Sequence, residues 1–172
     1  TAFVGAVPGQ ACPVTVDVDD LYIADTLGTI NNTFLGDVRV DAIKAQANGA
    51  LNQWTVEGAA SAWQAVSDGD ETTALRAATA GLRQTFDVEA LPAMTTPAIH
   101  GVQVTLLARK TDAGTGRVRG LVASGASTAV GPDIVLQEQL AWHTALFERN
   151  PNGNVPWTEG AFNAAEFGLE SA

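Results

Sequence analysis

Short runs of alternating apolar and polar residues, broken every few positions by Gly, Pro, Asn or Asp, constrain this chain more than any other feature. Alternation places every second side chain on one face of a strand, so such a run is stable only when that face is covered. Residues 14–18 (VTVDV) alternate and end in the acidic turn Asp19-Asp20. Residues 21–24 make a short strand closed by Asp25-Thr26-Leu27-Gly28. In residues 38–44 (VRVDAIK), Val38, Val40 and Ala42 share one face and Arg39, Asp41 and Ile43 the other; Asn48-Gly49 then marks a turn. Residues 103–109 (QVTLLAR) and 117–122 (RVRGLV) flank a Gly-relaxed linker from Lys110 to Gly116, which predicts a β-hairpin with a long loop. Residues 133–137 and 140–148 (LAWHTALFE) add two strands, Trp142 being assigned to the core. Short strands at such intervals predict a sandwich or barrel.

Two segments compete with this pattern. Residues 71–82 (ETTALRAATAGL) are Ala-rich, which favours helix, but they carry Thr and Gly and follow the Asp68-Gly69-Asp70 turn, so an irregular loop or strand is expected. Around residues 157–166, Thr158 fits an N-cap with Glu159 in the first turn, where the helix dipole favours an acid. One or two helical turns are expected there, followed by a last strand at Phe167-Gly168-Leu169.

At 172 residues the chain suits one domain with a real core. Residues 1–13, which carry no charge, read as an N-terminal arm, and residues 14–172 as a single domain. Only 16% of residues are charged, below the usual quarter, so the surface is either covered by neighbouring subunits or built of Ala, Thr, Ser and Asn. The formal net charge of −10 argues against nucleic acid, whose binding needs Lys and Arg to neutralise phosphates. Cys12 is the single cysteine, so no disulfide forms within the chain. No apolar run has the length of a membrane span, and no basic segment precedes an apolar one at the N-terminus as in a secretory signal. The first residue is Thr1, which fits either a trimmed initiator Met or a processed precursor.

Chemistry-bearing patterns are sparse. Asp17, Asp19, Asp20 and Asp25 form a carboxylate cluster that could hold Ca²⁺, but without the central Gly and terminal Glu of an EF-hand loop it reads as a solvated turn. His100 and His143 have no Cys or second His at zinc-ligand spacing. Ser124-Gly125 is a strand end and not a nucleophile elbow. No catalytic residue, metal site or cofactor is expected. Among four tryptophans, Trp54 is the candidate for an exposed, glycan-stacking aromatic.

Several non-adjacent positions also fall in a recognisable order. Asp20-Leu21-Tyr22, Asp25, Gly28, Asn31-Asn32 and the run Phe34 to Val40 are followed by Trp54-Thr55, Trp63 and Val66. The central part carries Gly101 to Val104, Ala108-Arg109-Lys110 and Asp112-Ala113-Gly114, then Arg117 and Ser124-Gly125. The end carries Asn150-Pro151, Trp157-Thr158 and Asn163 to Gly168. In these residues, from about Asp19 onward, the chain resembles a family of structural proteins of tailed-bacteriophage virions. It departs from the family pattern at Asn150, where Asp is usual, and in residues 72–82.

The resemblance implies an all-β jelly-roll sandwich of the concanavalin/laminin-G kind, with a short C-terminal helical turn and an extended N-terminal arm. It implies a non-enzymatic part of the virion, made in the host cytoplasm and placed on the capsid exterior, neck or tail. The expected partners are other virion proteins and copies of itself, without nucleic acid, membrane or cofactor. The alternative is a lectin-like module that binds host-surface glycans through Trp54. Phe3, Val4 and Val7 of the uncharged arm are candidate interface residues, as an added edge strand on a neighbour.

Overall fold

Strand β1 (Ala45–Asn52) is the first regular element in the computed structural model, which describes residues 29–36, 38–92 and 98–172. Two compact units divide the chain, residues 1–38 and 39–172. In the first unit the described residues are irregular, with left-handed backbone at Asn31 and Gly36. The expected strands at residues 14–18 and 21–24, the arm bearing Phe3, Val4 and Val7, and its boundary after residue 13 all lie outside the described residues. So do Cys12, Asp17, Asp19, Asp20 and Asp25.

In the second unit β1 is followed by β2 (Thr55–Glu57), α1 (Ala62–Ser67), β3 (Ala74–Arg76) and β4 (Arg83–Val88). Then come β5 (Val102–Ala108), β6 (Arg117–Ser124), β7 (Ser127–Val130), β8 (Ile134–Val135) and β9 (Ala141–Phe147), before α2 (Glu159–Asn163) and β10 (Glu166–Ser171). Among the described residues strands take 42% and helices 8%, and the pairings are antiparallel, so the class is all-β. The larger sheet runs β1-β4-β10-β6-β7, with β8 also pairing β6; β2 pairs β3, and β5 pairs β9.

The last strand, β10, sits inside the larger sheet, with Phe167 opposite Phe86 on β4 and Val122 on β6. From this face Val122 and Phe167 meet Val102, Val104, Ala145 and Phe147 of the β5-β9 pair in one core, completed by Trp157, Phe162 and Ala165. The strands approach closely because Gly120 of β6 has no side chain. A Cβ there would come to 2.5 Å from the Ala145 Cβ. Trp157 is 3% exposed and donates its indole N–H to the Phe147 carbonyl at 3.0 Å, so its polar atom is satisfied inside the core.

Helix α2 forms where the sequence signals place it. The Thr158 hydroxyl accepts the Ala161 N–H at 3.1 Å, Glu159 lies in the first turn, and Phe162 packs on Phe167 with ring centroids 4.9 Å apart. Residues 71–82 become β3 and irregular chain, as expected.

Three expectations about the strands are corrected. Residues 38–44 form no strand; the ladder begins at Ala45, opposite Val88. The apolar side of their alternation, Val40 and Ala42 included, is left exposed, and it is Ile43 from the other side that packs against the core. Arg39 pairs locally with Asp41 at 3.0 Å, and Val40 is 98% exposed.

Asn48-Gly49 is not a turn but an irregularity inside β1, where the register to β4 shifts. There the Ala50 N–H donates to Glu166 Oε2 at 2.9 Å and the Leu51 N–H to Thr85 Oγ1 at 3.0 Å, side chains replacing ladder carbonyls. The Thr85 hydroxyl in turn donates to Glu166 at 2.6 Å.

β5 and β6 do not form a hairpin. They lie in different sheets, β5 bonded to β9 and β6 to β10, so the largely exposed linker between them passes from one sheet to the other. Helix α1, which no sequence signal announces, occupies the connection between the paired strands β2 and β3 and buries Ala62 and Ala65.

Candidate interaction face

The β5-β9 pair places Leu107 opposite Trp142, Thr105 opposite Thr144, and Gln103 opposite Leu146. These six side chains share the face turned away from the core, since Val102, Val104, Ala145 and Phe147 occupy the other. Trp142 is 69% exposed, Leu146 61% and Leu107 41%. An isolated exposed leucine needs no explanation, but a tryptophan and two leucines on one small face, with only Thr and Gln between them, form an uncharged and largely apolar patch. No ionisable residue stands among the six.

The expectation that Trp142 is a core residue is therefore corrected. Its run, Ala141-Trp142-His143-Thr144-Ala145-Leu146-Phe147, offers two faces, and the bulkier one was the natural choice for the interior. The sheets choose the other. Ala145 must face Gly120 and Gly131, where a Cβ would come to 2.5 Å and 3.0 Å from its own, so the small residues turn inward. His143 goes in with them, and its Nε2 is buried without a hydrogen-bond partner.

The opposite side of the larger sheet carries a charged row next to the buried Leu121 and Thr85. Glu170 on β10 stands between Arg83 on β4 and Arg119 on β6, accepting from Arg83 Nε at 2.6 Å and Arg119 Nη1 at 3.0 Å. Arg119 also donates through Nε to Asp133, which accepts from Arg117 Nη1 at 2.8 Å. Burial alone would raise the Glu170 carboxyl, but the hydrogen bonds from Arg83 and Arg119 outweigh it and hold it below its ordinary value. Asp133 is lowered by the hydrogen bonds from Arg119 and Arg117, and Arg119 is raised by its hydrogen bonds to Asp133 and Glu170. In this alternating chain each of the two carboxylates is bonded by two guanidinium groups.

Trp54, the candidate glycan contact, is half-buried. Its indole N–H donates to the Leu82 carbonyl at 3.0 Å and its backbone N–H to Gln84 Oε1 at 3.3 Å, which ties it to β4. Trp63 lines an open depression of about 390 Å³ together with Gln64, Asp68 and Thr73. Asp68 is engaged within its own loop, accepting from the Asp70 N–H at 2.9 Å and the Thr73 hydroxyl at 3.0 Å. Asp70 accepts from the backbone and then the side chain of Thr72, which lowers its carboxyl.

Ser124, 5% exposed, ends β6, His100 precedes β5, and His143 lies inside β9. Among the described residues no three of His, Cys, Asp and Glu gather where a metal ion could be held, and no helix is long and apolar enough to cross a membrane. Comparison with family models, curated proteins and solved structures finds no match for this chain.

Proposed function

We propose that this chain is a non-enzymatic structural component of a tailed-phage virion, a jelly-roll sandwich of the concanavalin/laminin-G kind placed on the capsid exterior, neck or tail. It acts through contacts with copies of itself and with other virion proteins. The observation that carries this reading is the outer face of β5-β9, where Trp142, Leu107 and Leu146 lie exposed and none of the six paired side chains is ionisable. A chain of net charge −10 approaches a like-charged copy at least cost through an uncharged patch.

Several of the described residues that carry the family resemblance support it from another side, because they have an architectural task. Trp157 fills the core, Thr158 caps α2, and the Asn163 side chain accepts the Leu91 N–H at 3.1 Å. Gly168 lets β10 lie close on β4.

The deciding experiment is mass spectrometry and antibody labelling of purified particles from the source phage. The expected result is a fixed copy number at one location on the head, neck or tail; absence from the particle overturns the reading. The second reading, glycan binding, is favoured by the open depression beside Trp63 and Asp68. A glycan-array signal lost in Trp63→Ala or Trp54→Ala would establish that reading in place of a purely structural one.

A further inference from the structure

Asn-Gly occurs twice in the chain, at residues 48–49 and 152–153. In this dipeptide no side chain shields the glycine nitrogen, and the freedom of glycine in φ and ψ lets that nitrogen turn toward the preceding carboxamide. The two copies sit in opposite surroundings.

Asn48 lies in β1 opposite Phe86, and its Oδ1 accepts the Trp63 N–H at 2.8 Å. Gly49 is wedged so that a Cβ would come to 2.5 Å from both Glu166 Oε2 and Thr85 Oγ1. Neither the carboxamide nor the backbone can rotate there without breaking the junction that joins β1, β4 and β10.

Asn152 and Gly153 are exposed in the loop between Asn150 and Val155. Gly153 has φ +85°, and only Val155 Cγ1, at 3.7 Å, stands near its Cβ position. The Asn152 backbone N–H donates to Asn150 Oδ1 at 2.9 Å, while its own carboxamide makes no hydrogen bond among the described residues. That carboxamide lies over the turn at Gly125, whose missing Cβ leaves it room.

We propose that Asn152 is a site of spontaneous deamidation and isoaspartate formation in the folded protein, and that Asn48 is protected. The Gly153 nitrogen loses its proton to solvent base and attacks Asn152 Cγ. A C–N bond forms, the Cγ–Nδ2 bond breaks, and ammonia leaves with a solvent proton, giving a succinimide. Water then opens the ring at either carbonyl, yielding an aspartyl or an isoaspartyl residue at position 152, with no change of oxidation state. Either product adds a negative charge beside the β6-β7 turn. The isoaspartyl form also inserts a methylene into a loop closed by the Asn150 N–H to Val155 carbonyl bond of 2.9 Å, just before the core residue Trp157.

Tryptic digestion separates the two sites, because cleavage after Lys44, Arg76 and Arg149 yields peptides 45–76 and 150–172. The full chain is held folded at mildly alkaline pH, and the mass gain from replacing NH₂ by OH is followed in both peptides, with a parallel sample in urea. In the folded protein peptide 150–172 is expected to react about tenfold faster than 45–76, since the latter must first open locally, and in urea the rates converge. Fragmentation places the change at residue 152, and Gly153→Ala slows it. A smaller ratio in the folded protein, a faster 45–76 peptide, or an unreactive 150–172 peptide that reacts only in urea overturns the proposal.

Discussion

On the larger sheet, Arg83, Glu170 and Arg119 stand in one cross-strand row on the side away from the core, extended by Asp133 and Arg117. On the smaller sheet the corresponding side carries Leu107, Trp142 and Leu146, with Gln and Thr between them. Both are the far sides of antiparallel strands that bury their other side in the same core. Alternation explains why each strand has such a side but not what the side is made of. In the charged row each carboxylate is flanked by guanidinium groups, whereas the apolar patch has no such completion within the six residues. The first is therefore finished by the fold, and the second is suited to a partner.

The largest test of this contrast bears on the close packing beneath the charged row. Gly168 lies two residues from Glu170 on the same face, and a Cβ there would collide with the Gln84 carbonyl. Gly168→Ala is expected to cost about 3 kcal/mol or more in urea unfolding, because backbone, not a flexible side chain, would have to give way. An unchanged unfolding midpoint would contradict the tight β4-β10 contact.

Next comes the row itself. The Glu170 side chain is only 8% exposed, so Glu170→Ala strands two guanidinium groups and is expected to cost about 2 kcal/mol, tempered by the partial exposure of both arginines. Arg117→Ala, at the open end of the row, should cost about 0.5 kcal/mol or less. Equal losses at the two positions would mean that the row is not graded by burial.

A pH series sharpens the same point. Glu170 and Asp133 are both lowered from ordinary values of 4.5 and 3.8, so their contribution is complete above those values and is lost as pH falls through the lower folded ones. Asp70, lowered from 3.8, adds to the same acid limb. Denaturant midpoints should fall with acidification from 4.5 downward, and Glu170→Gln should flatten that fall. An identical slope in the variant would exclude Glu170 as its source.

The smallest stability effect is expected on the apolar face. Trp142→Ser and Leu146→Ser should shift unfolding by no more than about 0.5 kcal/mol, since exposed positions lose little on truncation. Sedimentation velocity should nevertheless show smaller species than the parent chain forms. A large loss of stability with unchanged association would make the face part of the chain's own packing and remove the contrast.

Much of the secondary structure was legible because it rests on short-range rules. The alternation in β5, β6 and β9, the Thr158 cap with Glu159, and the last strand around Phe167 all declare themselves within a few residues. What failed had two acceptable local answers. Asn48-Gly49 reads as a turn unless Glu166 and Thr85, far along the chain, arrive to bond Ala50 and Leu51. Residues 103–109 and 117–122 read as a hairpin unless β9 and β10 compete for their edges. Helix α1 is too short to show a period, and its cover by β1 and β3 is supplied by the fold.

By itself, then, the sequence determined an all-β chain, where several strands run and where α2 starts, since these follow from side-chain alternation and local hydrogen bonding. The tertiary structure decided which strands pair and which face of β9 meets the core. Trp142 stands outside because Gly120 and Gly131 leave room opposite Ala145 for nothing larger than a methyl group. That limit is set by the distance between two sheets, and no local pattern in residues 141–147 records it.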